Sequence, residues 1–318
     1  MSSSTVSKLD DLIGLGTAKK VVRRLAGDER AIHAILLYGP KGAGKSELAK
    51  IVTKQWLCKE PTPEGADDTC RACMAYERGN SPDLLIIEPQ GLSRIIKNDA
   101  IINASPEGDD PLPLLTFFRT SPMFSRHKVA IIRDAHRMNG SSANALLKTL
   151  EEPHPHAKLL LTTDTVGSIL PTVLSRCLAV ACETPTEKDI AAAFPDATPE
   201  EIRFAEGAPG RLSLILSHRE LYARLLRFAR SLPHRGAAEA LVVSEEFQSI
   251  VEGFQSANET GVRAANAEAL DALAIYFARE PSCPPFWTQQ IIEAHRRIVG
   301  NGGSSVVLDA LFTGLLVG

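Results

Sequence analysis

The chain lacks the features that would place it in a membrane or send it out of the cell. No stretch of its 318 residues reaches the roughly 18 apolar residues in a row that a membrane helix needs. The opening MSSSTVSKLDDL has no apolar core of a secretory leader. An excess of one charge is missing too. Lys and Arg number 35 against 38 Asp and Glu, for a net charge of -3, so the molecule as a whole does not attract a polyanion. Any contact with nucleic acid must be local, or be made by partners. The chain has no internal repeat, no nucleophile–base arrangement, and no ligand spacing among its eight histidines. Six cysteines without a leader indicate a reducing compartment, the cytoplasm by default, where burial or metal binding is expected in place of disulfides.

What is present is the composition of a globular protein, 44% hydrophobic and 23% charged, in a chain too long for one ordinary core. Short apolar runs at residues 34–38, 84–87, 129–132 and 159–161 read as strands buried on both faces. Residues 47–57 and 142–151, between those runs, are helical in pattern. Strand, helix, strand in this order predicts a parallel α/β sheet. Residues 91–113 read as an irregular polar excursion. After about residue 183 the strands stop. Helix starts at Thr186 and Thr198 suggest a small helical unit over 184–220, and the remainder, 221–318, is helical throughout. The last apolar helix, 306–317, has two readings at this stage: a face for oligomer contacts, or a helix packed on its own domain.

Gly39-Pro40-Lys41-Gly42-Ala43-Gly44-Lys45-Ser46 follows the first strand and precedes the first of these helices. This is the P-loop pattern in its proper context. The glycines let backbone N–H groups curl around phosphate oxygens. Lys45 adds a point charge for the β- and γ-phosphates, and Ser46 a hydroxyl for Mg2+. The predicted ligand is therefore ATP with magnesium. Such a site needs an acidic residue on a nearby strand to hold the metal through water, and Asp134 ends the third apolar run. The next position, where a hydrolytic site usually carries glutamate, is Ala135. Alanine neither accepts a proton nor orients water, so binding without efficient hydrolysis is expected.

Three motifs carry a resemblance: residues 134–139 (DAHRMN), 142–153 (SANALLKTLEEP) and 174–177 (LSRC). They resemble the bacterial clamp-loader ATPases of DNA polymerase III, an AAA+ family. Asp-Ala in place of Asp-Glu, with Ala208-Pro209-Gly210-Arg211, is similar to the delta-prime branch more than to the gamma/tau branch. The resemblance implies an AAA+ domain over 1–183, a helical lid over 184–220 and a helical collar over 221–318. It implies that Ile13-Gly14 sit by the adenine, that Thr162-Thr163 (Thr163 above all) sense the γ-phosphate, and that Arg211 is the sensor of the lid. Arg176 would be an arginine finger reaching the ATP of a neighbouring subunit, a role that suits an always-charged forked guanidinium. Implied partners are gamma/tau- and delta-type subunits in a hetero-oligomeric ring, with the sliding clamp and primed DNA reached through the complex. No membrane is involved. An active motor ATPase of the gamma/tau type is the alternative; the intact Lys45 and Ser46 favour it and Ala135 opposes it.

Members of that family commonly carry four cysteines, C-x8-C-x2-C-x2-C, around structural zinc. Here Cys58, Cys70 and Cys73 keep the register and Asp67 stands in the second place. Aspartate can ligate Zn2+, so a Cys3Asp zinc site is one reading. A site that has lost its metal is the other. Cys182 and Cys283 read as small buried hydrophobes.

Overall fold

The computed structural model of the chain describes residues 8–25, 32–89, 95–102, 113–258, 261–281, 283–300 and 302–317. The chain forms two compact units, Met1–Asp196 with Gly207–Gly210, and Ala197–Glu206 with Arg211–Gly318.

In the first unit Gly16–Leu25 (α1) leads to Ala34–Tyr38 (β1), Lys45–Leu57 (α2), Arg71–Glu77 (α3) and Leu84–Ile87 (β2). Leu114–Arg119 (α4), Lys128–Ile132 (β3), Gly140–Glu151 (α5) and Ala157–Thr163 (β4) follow. Pro171–Leu174 (α6), Leu178–Ala181 (β5) and Glu187–Ala193 (α7) complete it. The strands form one sheet in the order β2-β3-β4-β1-β5, and every pair is parallel. All five therefore bring their C-terminal ends to one edge, where open α/β sheets hold their ligands.

Three of the four apolar runs have the predicted cause, whereas β2 lies at the sheet edge with Ile86 exposed and is not buried on both faces. β3 and β4 are buried at every position, and successive β1 side chains enter opposite cores. Ile35 and Leu37 pack with Leu48, Val52 and Trp56 of α2, whereas Ala34 and Leu36 pack with Leu146 and Leu150 of α5. Each fully buried Leu or Ile is worth about 1.5–3 kcal/mol, so this double layer is what holds the site's strand ends in place. The edge strand β5 has no counterpart among the runs read from sequence; its alternating small residues, LAVA, give a weak signal. β4 also extends beyond 159–161 at both ends, reaching Thr163. The stretch read as an irregular excursion lies largely outside the described residues, but Ile96 and Ile101 are both buried in the α5-side core.

The second unit is entirely helical among its described residues: Pro199–Phe204 (α8), Pro209–Ser217 (α9, from Arg211), Arg219–Ser231 (α10), Ala240–Asn258 (α11), Val262–Ala278 (α12), Pro285–Val299 (α13) and Ser304–Val317 (α14). The segment expected as a lid, 184–220, thus gives α7 to the first unit and α8 to the second. The two helix starts are reciprocal capping boxes, Thr186 with Asp189 and Thr198 with Glu201. Phe312 of α14 meets Phe228 and Phe247 at ring distances of 5.7 and 5.3 Å, so the apolar helix packs on its own unit and leaves Val306 and Val317 exposed. Among the described residues no helix is long and apolar enough to cross a membrane.

Candidate nucleotide and metal sites

The loop between β1 and α2 is anchored on both sides. Gly39 N donates to Thr163 O of β4 (3.3 Å), and Cys182 N, just past β5, donates to Tyr38 O (2.7 Å). A Cβ on Gly39 would lie 2.1 Å from Cys182 O, one on Gly42 2.5 Å from the Cβ of Ala208, and one on Gly44 3.1 Å from Leu15 Cδ1. Gly42 and Gly44 have φ of +84° and +88°, and Gly44 is the N-cap of α2. The glycine spacing is therefore required by backbone conformation and by close neighbours together. Gly14, also left-handed at φ +67°, backs onto Pro185, which brings the segment ending in Leu15 against the loop. The N-terminal end of the 13-residue helix α2 points its unpaired amides and positive dipole end into the loop, an arrangement suited to an anion.

Lys45 is the first residue of α2, with Nζ 2.6 Å from Gly39 O, 2.9 Å from Pro40 O and 2.8 Å from Asp164 Oδ1. Pro40, Lys41 and Ser46 are exposed, and Ala43 is buried beneath them. Asp134 lies two residues past β3 in the left-handed region (φ +49°), and its N–H donates to Thr162 Oγ1 at 3.2 Å. Thr163 Oγ1 lies 3.2 Å from His136 Nδ1 and 3.2 Å from Thr165 O, so the two threonines tie β4 to the turn after β3. Ala135 in that turn is 2% exposed and packs with Ile96, Ile132 and Leu146. The position that would carry a hydrolytic glutamate is thus a methyl group within the core.

Two more residues singled out from sequence lie on other elements. Arg176, after α6, donates through Nη1 to Thr172 O (2.9 Å) and Ser175 Oγ (3.2 Å), and pairs through Nη2 with Glu151 at 2.7 Å. Arg211 belongs to the second unit and pairs with Glu206 at 2.8 Å. Sequence reasoning missed the carboxylates Asp164, Glu151 and Glu206. Asp164 directly follows Thr163 and Glu151 lies within residues 142–153, but ion pairs leave no local pattern.

Cys58, Asp67, Cys70 and Cys73 bring their four ligand atoms within 4.8 Å of one another. Cys58 caps the C-terminal end of α2, Cys70 is the N-cap of α3, and Cys73 lies in its first turn. Cys70 Sγ and Cys73 Sγ are 3.5 Å apart, close to the roughly 3.8 Å edge of a tetrahedron with Zn–S of about 2.3 Å. Asp67 Oδ1 accepts from Thr69 N (2.9 Å) and Cys70 N (3.0 Å), and these amides, Cys70's foremost, hold its carboxyl down to about 2. Burial pushes the Cys73 thiol well above its usual value. Lys54, nearly buried, pairs with Asp68 (2.6 Å) and with Glu77, and so ties the cysteine loop to α2. Three thiols and an ionised carboxylate at these distances suit a tetrahedral divalent ion.

A family model described as "DNA polymerase III, delta subunit" matches residues 15–186, more than half of the chain. DNA polymerase III subunit delta' of Pseudomonas aeruginosa is 36% identical over 162 residues, 51% of this chain and 46% of that protein. The delta' subunit of Bacillus subtilis is 36% identical over 149 residues, 47% of this chain and 41% of that protein. Subunit tau/gamma of Haemophilus influenzae is 34% identical over 151 residues, 48% of this chain and 20% of that protein. The chain thus matches less than half the length of each of these relatives. A gamma subunit-related protein from Thermotoga maritima shares the fold, at a TM-score of 0.53 and 18% identity over 93% of this chain and 99% of that one. The chain belongs to the DNA polymerase III delta-subunit family and is similar to its delta-prime members.

Proposed function

We propose that this subunit binds ATP with Mg2+ in the loop from Gly39 to Ser46, hydrolyses it poorly or not at all, and offers Arg176 to the ATP of a neighbouring clamp-loader subunit. One observation carries the reading: Ala135, 2% exposed, stands beside Asp134 where a carboxylate would have to activate water. Lys45 would hold the β- and γ-phosphates, Ser46 and Asp134 the magnesium, Thr163 and Arg211 the γ-phosphate region, and Gly14 the adenine side. Bound Mg2+ supplies charge neutralisation at the phosphates. Residues 184–220 act as the lid and 221–318 as the collar. The partners are gamma/tau- and delta-type subunits, with the sliding clamp and primed DNA engaged through the assembly, in the cytoplasm. Half-exposed Arg176 could exchange Glu151 for a phosphate at modest cost, since such a pair contributes about 1 kcal/mol or less.

Calorimetry of the purified chain should show ATP binding, with phosphate release at background in a steady-state assay. Strong turnover by the chain alone would favour the gamma/tau-type motor instead. Arg176→Ala should suppress the ATPase of the assembled complex and leave nucleotide binding by this subunit intact; unchanged complex activity would count against the finger role.

Cys58, Asp67, Cys70 and Cys73 would hold a structural Zn2+. Protein purified without chelator should carry about one zinc per chain, and Asp67→Ala should weaken metal binding by at least about tenfold, followed by Co2+ absorption. A zinc-free, stably folded chain would refute the site.

A further inference from the structure

Lys45 has three N–H donors and no acceptor, and each of the three has an oxygen partner within the chain. Gly39 O and Pro40 O take two of them, at 2.6 and 2.9 Å, and Asp164 Oδ1 takes the third at 2.8 Å. Asp164 directly follows β4, the strand paired with β1, and is not part of the P-loop pattern or of the turn after β3 that carries Asp134. The ammonium end of the pair is nearly buried, its side chain 10% exposed, while the Asp164 side chain is 46% exposed. The charge that a phosphate would seek is therefore already neutralised, by a carboxylate with room to leave.

We infer that Asp164 is an internal counter-ion competing with nucleotide phosphate for Lys45, and that it sets how tightly the loop holds nucleotide. The inference rests on the nucleotide-binding reading of the loop. A phosphate oxygen arriving at Nζ replaces the carboxylate oxygen. Binding then loses one ion pair, and it also places two like charges near each other until Asp164 turns toward solvent. The lost pair opposes any phosphate that reaches Lys45. The repulsion grows with the charge delivered there, so it opposes a nucleoside triphosphate more than a diphosphate. Asp164 acts as a positioning residue, through Lys45.

The test is calorimetric titration of the full chain with ATP and with ADP, Mg2+ present, at low and raised salt. Asp164→Asn should tighten ATP by about fivefold, the worth of a half-exposed ion pair, and ADP by less. Asp164→Glu, which keeps the charge, should stay closer to the parent, and raised salt should narrow the gap between parent and Asp164→Asn. Equal affinities for parent and Asp164→Asn would overturn the inference while leaving nucleotide binding in place. Weaker binding by Asp164→Asn would overturn it too, by making Asp164 a contributor to the bound complex. Failure of the parent to bind either nucleotide would remove the underlying reading. The pair is still testable then: a Lys45→Met, Asp164→Asn double-mutant cycle in urea should show coupling, and additive effects would dispose of the pair itself.

Discussion

A methyl group on Gly39 would have to displace the carbonyl of Cys182, 2.1 Å away, and backbone held by strand hydrogen bonds does not give way cheaply. Gly140, the first residue of α5, has nothing within 4 Å of where its Cβ would be. The same substitution should therefore have opposite signs at the two positions. Gly39→Ala is expected to cost at least about 2 kcal/mol in urea denaturation and to abolish ATP binding. Gly140→Ala should be neutral or stabilising by up to about 1 kcal/mol. Equal effects would mean that the loop, not the strand beside it, absorbs the strain.

At the scale of elements, a carboxylate just before β2 reaches across to the segment ahead of β3. Asp83 is fully buried and accepts backbone N–H bonds from Met123 (2.7 Å), Phe124 (2.7 Å) and Ser125 (2.9 Å), fixing the turn that feeds β3. Burial raises its pKa, and the three amides more than offset this, so the folded value lies below the ordinary one. The unfolded chain binds this proton more readily. Asp83 therefore stabilises the fold fully above a pH of about 4, and that stabilisation is lost as pH falls through the lower folded value. Acid unfolding of Asp83→Asn should lack this component, and at neutral pH the variant should be less stable by about 2–3 kcal/mol. Identical acid profiles would dismiss the role. None of this was legible in sequence, because Asp83 meets its partners some 40 residues away. The P-loop strand, the glycines and both capping boxes were legible because their causes are local: burial on two faces, positive φ, and a three-residue return bond. The cysteine register named the four donors that the structure gathers within 4.8 Å, whereas β5 and the partners of Lys45 and Arg176 depend on tertiary contact.

For the whole molecule, the family match ends at residue 186, inside the first unit, and the second unit has a separate aromatic core. Tyr222 joins Phe254 edge-on at 5.2 Å, and Phe228, Phe247 and Phe312 form a second cluster. Phe312→Ala should cost about 3–5 kcal/mol of stability while leaving ATP affinity unchanged at temperatures where the chain stays folded. A parallel loss of affinity would show that the nucleotide site depends on that core. The anchoring of the phosphate loop has a consequence in time as well as in space. The amides of Gly39 and Cys182 bond into the middle of the sheet, while Lys41 and Gly42 stand exposed at the loop's crown. In deuterium labelling, the Gly39 amide at the start of the loop should exchange only when the sheet opens, and the crown should exchange early. A single peptide from this loop would carry both the slowest and the fastest clocks of the domain.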